Sequence, residues 1–325
     1  MRLIQILALT AGLAGLALAG DKLGFKKEKE IALPGGSHFD YLTVFENRLY
    51  VAHGTTVDVV DLASGKTVGQ VPGVDGAHGV VIVKEAGRGF ATSGTKNKLV
   101  VFDLAKLTVT KEISVGKKPD AILWCATTKE VWTMNGKDGS ISCVDPGSLE
   151  VKNTIAVGDK LKLESCVELA SKGQVFVNVE QEPGLIVQID AKDHKVLNKY
   201  TLDGNAPTGL ALDEKNGVLF VGCEKKLLYI DAATGKSLGS QEIADGCDGV
   251  AFDPESGCAF ASCGGGPTTV VREKDGKTFE VVAQLETGKG ARTCTVDSTT
   301  HMVYIASSSE KEKSVLVLVF APENK

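Results

Sequence analysis

Short apolar runs, each carrying one aromatic residue, return along this chain at a nearly constant interval. Tyr50, Phe90, Trp132, Phe176, Phe220, Phe260 and Tyr304 are separated by 40, 42, 44, 44, 40 and 44 residues. A turn-like tetrapeptide stands before each: "FENR", "EAGR", "TTKE", "SKGQ", "EKNG", "PESG" and "STTH". After each come a short loop and a second apolar run that usually closes on Asp, as in "VDVVD", "LVVFD", "ISCVD", "IVQID" and "LLYID"; the sixth, "TVVRE", departs from the pattern. A Gly- or Asp-containing turn and a fourth strand complete the unit. Four short strands in about 42 residues, joined by hairpin-length turns, predict a propeller blade.

One four-stranded blade cannot bury both its faces. Blades stacked around an axis can, and they leave only short edges. The pattern therefore predicts an all-β, seven-bladed β-propeller of four-stranded antiparallel blades. The seven aromatics are expected in the core between blades. The Asp that ends the third strand is expected to accept hydrogen bonds from backbone N–H groups of the next turn. The last repeat supplies strands near residues 294–296, 303–307 and 314–320 and has no fourth. "KKEKEIALPGG", Lys26 to Gly36, matches the outer-strand phrase with no blade before it. Residues 23–33 are thus expected to complete the last blade and close the ring. "DKLKLES" in the fourth repeat and "VVREKDGKTFEV" in the sixth break the pattern, and local irregularity is expected there.

The phrases "FATSGTKNKLVVFDLAKLTVTKEISVGKKPDAI" and "LFVGCEKKLLYIDAATGK" read aromatic-Val-x-x, short loop, Val-x-x-Ile-Asp, Thr-Gly-Lys, then Val-Gly-x-x-Pro. In this the chain resembles the YVTN-repeat, YncE-like family of seven-bladed propellers, over residues 31–320. The resemblance implies the fold. It does not select an activity, because related propellers include lactonases, lyases, cofactor-bearing dehydrogenase subunits and plain binding proteins. The WD40 signature fits less well, with no Gly-His opening and no Trp-Asp close.

Arg2, the apolar run Leu3 to Leu18 and the small-x-small triplet Ala17-Leu18-Ala19 predict a secretory signal peptide cut after Ala19. That would leave one propeller domain over residues 20–325, monomeric, without a membrane span, in a bacterial periplasm or outside the cell. Net charge is -5 and the pI about 5.7. Nonspecific nucleic-acid binding needs Lys and Arg to neutralise phosphates, so this balance argues against it. The eight Cys show neither CxxC nor CxxCH spacing, which speaks against an all-thiolate zinc site and a c-type haem. Cys247, Cys263 and Cys223 are expected to share the mouth face. In an exported chain, Cys247 and Cys263 are candidates for a disulfide.

Counting back twelve residues from each aromatic reaches the start of the innermost strand, at the mouth of the central channel. The residues there are His38, His78, Asp120, Glu164, Thr208, Asp248 and Arg292. Six of the seven are ionisable. A water-filled polar funnel explains them, and so does a ligand site. For the second, His38, His78 and Asp248 are candidate ligands of a divalent metal, with His53 as a further donor, and Arg292 suits an anionic ligand. His194 and His301 fall in turns and are expected at the surface. "SCGGGPTT", Ser262 to Thr269, lacks the Lys-Ser/Thr ending of a phosphate loop and reads as a flexible loop on the mouth face. The expected function is a noncatalytic binding or scaffold protein that takes a small ligand or a protein partner at the mouth. The alternative is a metal-dependent lactonase or lyase that uses the His/Asp/Glu ring, with His38 or His78 as base.

Overall fold

The computed structural model describes residues 23–309 and 313–323. The expected leader, residues 1–19, lies outside the described residues. Within them the chain forms twenty-eight strands, numbered β1 to β28 in chain order, arranged as seven four-stranded antiparallel sheets. Six sheets are the successive quartets β2–β5 (42–72), β6–β9 (77–114), β10–β13 (119–156), β14–β17 (163–201), β18–β21 (209–242) and β22–β25 (247–285). The seventh joins β26 (Thr293–Val296), β27 (Val303–Ser309) and β28 (Ser314–Pro322) to β1 (Phe25–Pro34).

β1 is the outermost strand of this last blade, as the strand count predicts. It runs antiparallel to β28, with Ile31 opposite Val317 and Leu33 opposite Val315. The seven inner strands β2, β6, β10, β14, β18, β22 and β26 are neighbours in that order, and β26 meets β2 to close the ring. The two broken repeats are nonetheless complete sheets, and the register slips they carry, such as those at Leu163/Cys166 and Val270/Val271, recur at equivalent places in the regular third blade. In the sixth, Glu273 and Asp275 supply the acceptors that the missing Ile-Asp turn would have given. Glu273 takes the Gly276 N–H and Asp275 takes that of Thr278 at 2.7 Å.

Seven apolar clusters fill the seven junctions, and each receives the aromatic of the blade before it. Tyr50 lies between the first and second blades, Trp132 between the third and fourth, and Tyr304 between the last and the first. All seven aromatics are buried. Bulky rings on one face of each blade thus weld neighbouring sheets together. The Asp residues ending the third strands cap the next turns as expected. Asp61, Asp103, Asp190 and Asp231 accept from the N–H of Ser64, Lys106, Asp193 and Thr234 at 2.7–2.8 Å.

Candidate functional site

The ring at the mouth is built by a repeated defect in strand pairing. The register of β6 (Ala77–Val83) slips between Ala77 and Val80, and that of β10 (Pro119–Cys125) between Pro119 and Ile122. β14 (Leu163–Leu169) slips between Leu163 and Cys166, and β22 (Cys247–Asp253) between Cys247 and Gly249. His78, Asp120, Glu164 and Asp248 sit in these bulges. A bulge re-aims a side chain that would otherwise stand over the sheet face. In the other three blades the equivalent residue precedes the inner strand and donates its backbone N–H to the second strand. These bonds are Asp40 to Ala52 (3.0 Å), Thr208 to Gly222 (3.0 Å) and Arg292 to Ala306 (3.2 Å).

Asp40, not His38, therefore occupies the ring in the first blade. In every blade the ring residue lies three positions before the residue paired with the aromatic. Those partners include Thr43 for Tyr50, Val81 for Phe90 and Leu123 for Trp132. The first hairpin pairs Phe45 directly with Arg48, leaving a two-residue turn, whereas Val83 pairs with Arg88. The shorter hairpin makes a count of twelve overshoot by two. His38 stands exposed in the segment before β2 (Leu42–Phe45).

The ring side chains form three charged groups. His78 directs Nδ1 at Asp40 (2.5 Å) and at Asp120 (3.4 Å), and Lys118 pairs with Asp120 at 3.2 Å. Lys162 lies 3.1 Å from Glu164 and also contacts Glu180. Arg292 Nε donates to Asp248 at 2.9 Å; its Nη2 donates to the Phe39 carbonyl at 2.8 Å, and its guanidinium lies 4.4 Å from the centre of the Phe39 ring. Thr208 turns its hydroxyl to the Cys247 carbonyl, so it buttresses the ring rather than joining the charges.

Burial, with the charges of neighbouring acids adding, raises the pKa of Asp40, Glu164 and Asp248. Asp40 is pushed up to about 6, with the His78 bond opposing and the Asp120 charge adding. Glu164 is pushed up to about 9 by burial and by Asp120, against the pull of Lys162. Asp248 is raised by burial although Arg292 opposes it. Burial works against charging His78, but the bond to Asp40 and the charge of Asp120 outweigh it and raise its pKa. Five carboxyl groups, Asp40, Asp120, Glu164, Glu180 and Asp248, thus share the mouth with three permanent cations, Lys118, Lys162 and Arg292, and one histidine.

Tyr41 floors this site. It belongs to the first blade yet packs against the apolar cluster between the third and fourth, so it reaches across the channel. Burial, then the charges of Glu164, Asp40, Asp120 and Asp248, raise its hydroxyl pKa far above normal. Tyr41 also lines a cavity of about 170 Å³ walled by inner-strand residues such as Val80, Ile122, Leu210 and Val250. The channel is therefore charged at its mouth, and below it the inner-strand walls mix apolar side chains with polar groups such as Thr43 and Ser165.

Several other expectations resolve elsewhere. His53 does not reach the ring: it is buried, with Nδ1 2.6 Å from Asp58 and Nε2 3.1 Å from the Gly36 carbonyl, beside the segment that follows β1. His194 and His301 are at turns but partly buried, paired with Glu130 (2.8 Å) and Asp253 (3.1 Å). The glycine loop is tied down by backbone bonds from Gly264 to Gly246 and from Gly265 to Asp245, both 2.8 Å. Cys247 is the register partner of Cys263 on β23 (Cys258–Cys263), and both are buried thiols. Cys223 packs in the neighbouring junction, in a different cluster. Among residues not anticipated, Lys118 and Lys162 had a legible signal. Each stands two positions before a ring acid, in "KPD" and "KLE".

No known family model matches the chain, and no curated protein matches it in sequence. Solved structures do match. A chain of a mitotic checkpoint complex superposes with a TM-score of 0.76 at 12% identity, covering 98% of each chain. A chain of hydrazine synthase from Kuenenia stuttgartiensis does so with a TM-score of 0.74 at 14% identity, covering 88% of this chain and 96% of that one. At such identities the likeness is one of fold: this chain is a seven-bladed β-propeller.

Proposed function

We propose that this chain is an exported, YncE-like binding propeller that holds a positively charged group, in the first place a divalent cation, at its channel mouth without transforming it. The observation that carries this reading is the convergence of Asp40, His78 and Asp120 at a mouth that holds five carboxyl groups, where burial raises the pKa of Asp40 and Glu164. A cation bound there would take the place of protons on Asp40 and His78, since ligation requires both in their deprotonated forms. The best-formed pocket for it is the Asp40, His78 and Asp120 group, whose ligand atoms lie within 4.8 Å of one another. Two carboxylates and an imidazole suit manganese and its neighbours, with coordination positions left open to solvent or to a bound partner. Export rests on the leader pattern of residues 1–19, and the family reading on the repeat phrases.

The same three-donor geometry favours, as a second reading, a metal-dependent lactonase or lyase in which a bound ion polarises a carbonyl. Calorimetric titration with manganese, calcium and magnesium tests the first reading. Wild-type protein should take up a cation that the Asp40→Asn/Asp120→Asn double variant does not. Uptake unchanged by that substitution would overturn the assignment. Turnover of lactones by the loaded wild type would move the conclusion to the second reading.

A further inference from the structure

A different donor set lies at the opposite end of the barrel of blades, between the third and fourth. In β11 (Glu130–Asn135) and β12 (Ser140–Asp145), Glu130 pairs across from Cys125 and Trp132 across from Cys143. Side chains two apart on a strand, and those directly opposite across a ladder, share a face. Cys125, Glu130, Trp132 and Cys143 are therefore on one face of the third blade. That face is turned to the fourth, since Cys125, Trp132 and Cys143 pack in one cluster with Val175, Val187 and Ile189. From the fourth blade, the turn before β17 (Lys195–Thr201) lays the His194 ring over Trp132, with centroids 5.6 Å apart. His194 Nε2 then stands 2.8 Å from Glu130 Oε2, which also accepts the Trp132 indole N–H at 3.1 Å.

We propose that Glu130, Cys143 and His194 bind a zinc-class divalent ion, with a fourth position open to water. Their ligand atoms all lie within 4.8 Å of one another. A tetrahedral zinc holds sulfur at about 2.3 Å and nitrogen or oxygen at about 2.0–2.2 Å, so the three donors need move only about an ångström to converge. One sulfur, one imidazole and one carboxylate match zinc better than the harder ions that suit the mouth.

Cys143 adds an independent reason. It is fully buried, and among the described residues its thiol, like those of Cys166 and Cys223, makes no hydrogen bond, so no acceptor is given up when the sulfur ligates. Burial, with the charge of Glu130 adding, keeps that thiol protonated in the metal-free protein. On binding, the Cys143 S–H proton leaves to solvent as the sulfur–metal bond forms. The Glu130–His194 contact opens so that both ligate the same ion, and the Trp132 N–H remains on Glu130 as an outer donor. Thiolate and carboxylate together neutralise the ion. The His194 side chain, 20% exposed, marks the way in.

Cobalt(II) added to chelator-treated full-length protein tests this separately from the Asp40, His78 and Asp120 group, which holds no sulfur ligand. One equivalent should produce a sulfur-to-cobalt charge-transfer band and the strong visible bands of a four-coordinate ion, both abolished by zinc. Cys143→Ser should remove the charge-transfer band. His194→Gln should weaken binding by about tenfold or more. The Asp40→Asn/Asp120→Asn variant should keep the band. If Cys143→Ser does not fold, His194→Gln alone decides, because its substitution is in a partly exposed turn. No charge-transfer band at saturating cobalt, a band that survives in Cys143→Ser, or unchanged affinity in His194→Gln would overturn the assignment.

Discussion

Replacing Leu33 by alanine tests ring closure at a single side chain. Leu33 is fully buried in β1, opposite Val315, in the cluster that joins the last blade to the first through Leu49, Val51 and Tyr304. The substitution removes three carbons from a site walled by the strands of two blades. Those strands are fixed in their own ladders and cannot collapse far into the gap. Buried Leu→Ala changes cost about 2–5 kcal/mol, and zero exposure with rigid walls places this one at about 3–4 kcal/mol. Urea unfolding followed by tryptophan fluorescence reads it, as a lower midpoint at unchanged slope. Val68→Ala, at a position 53% exposed on the outer strand of the first blade, should change stability by no more than about 0.5 kcal/mol. Deleting residues 23–33 should cost more than Leu33→Ala, since it also strips β28 of its partner and opens a sheet edge. A loss below about 1 kcal/mol for Leu33→Ala would refute the view that β1 latches the ring.

Three further outcomes are expected. Glu164 holds its proton up to about 9 in the folded mouth and ionises near 4.3 when unfolded, so the cation-free protein should lose stability as pH rises through that window. Glu164→Gln, which cannot ionise, should gain on wild type from about pH 5 to 9, and parallel pH profiles of unfolding would contradict this. A Cβ at Gly94 would fall 2.7 Å from His78 Nε2, so Gly94→Ala should push the ring aside and weaken manganese binding by about tenfold; an unchanged isotherm would detach His78 from the site. Cys247 and Cys263 are opposed on antiparallel strands, where Cα separations of about 4.5–5.5 Å fall within the range of a disulfide. Peptide mapping without reduction, on protein recovered from an oxidising compartment, should find them linked, and two free thiols would count against it.

Much of this fold was legible because its determinants are local and repeated. An aromatic every 40 to 44 residues, a third strand closing on Asp, and a spare strand at the N-terminus each carry their own structural meaning. The mouth was legible in part, for the same reason. His78, Asp120, Glu164, Asp248 and Arg292 sit at one offset from their aromatics because their hairpins have equal length. His38 was misplaced because the Glu46-Asn47 turn is two residues shorter, a difference that becomes visible only when strand register is known. Tyr41 could not be read as a floor, since its partners belong to blades far away in sequence. The same is true of His194, whose meeting with Glu130 and Cys143 depends on how two blades stack. The glycine loop looked flexible in composition, but its backbone partners at Asp245 and Gly246 lie in a segment that local reading treats as a separate turn.

The central claim is that the mouth is a cation site centred on Asp40, His78 and Asp120. The most direct measurement is anomalous diffraction at the manganese edge from crystals grown with manganese. The account predicts a single strong peak at the mouth, within coordination distance of an Asp40 oxygen, His78 Nδ1 and an Asp120 oxygen, and no such peak in the Asp40→Asn/Asp120→Asn variant. A mouth without anomalous density at saturating manganese, or a peak there that persists in the variant, would contradict it.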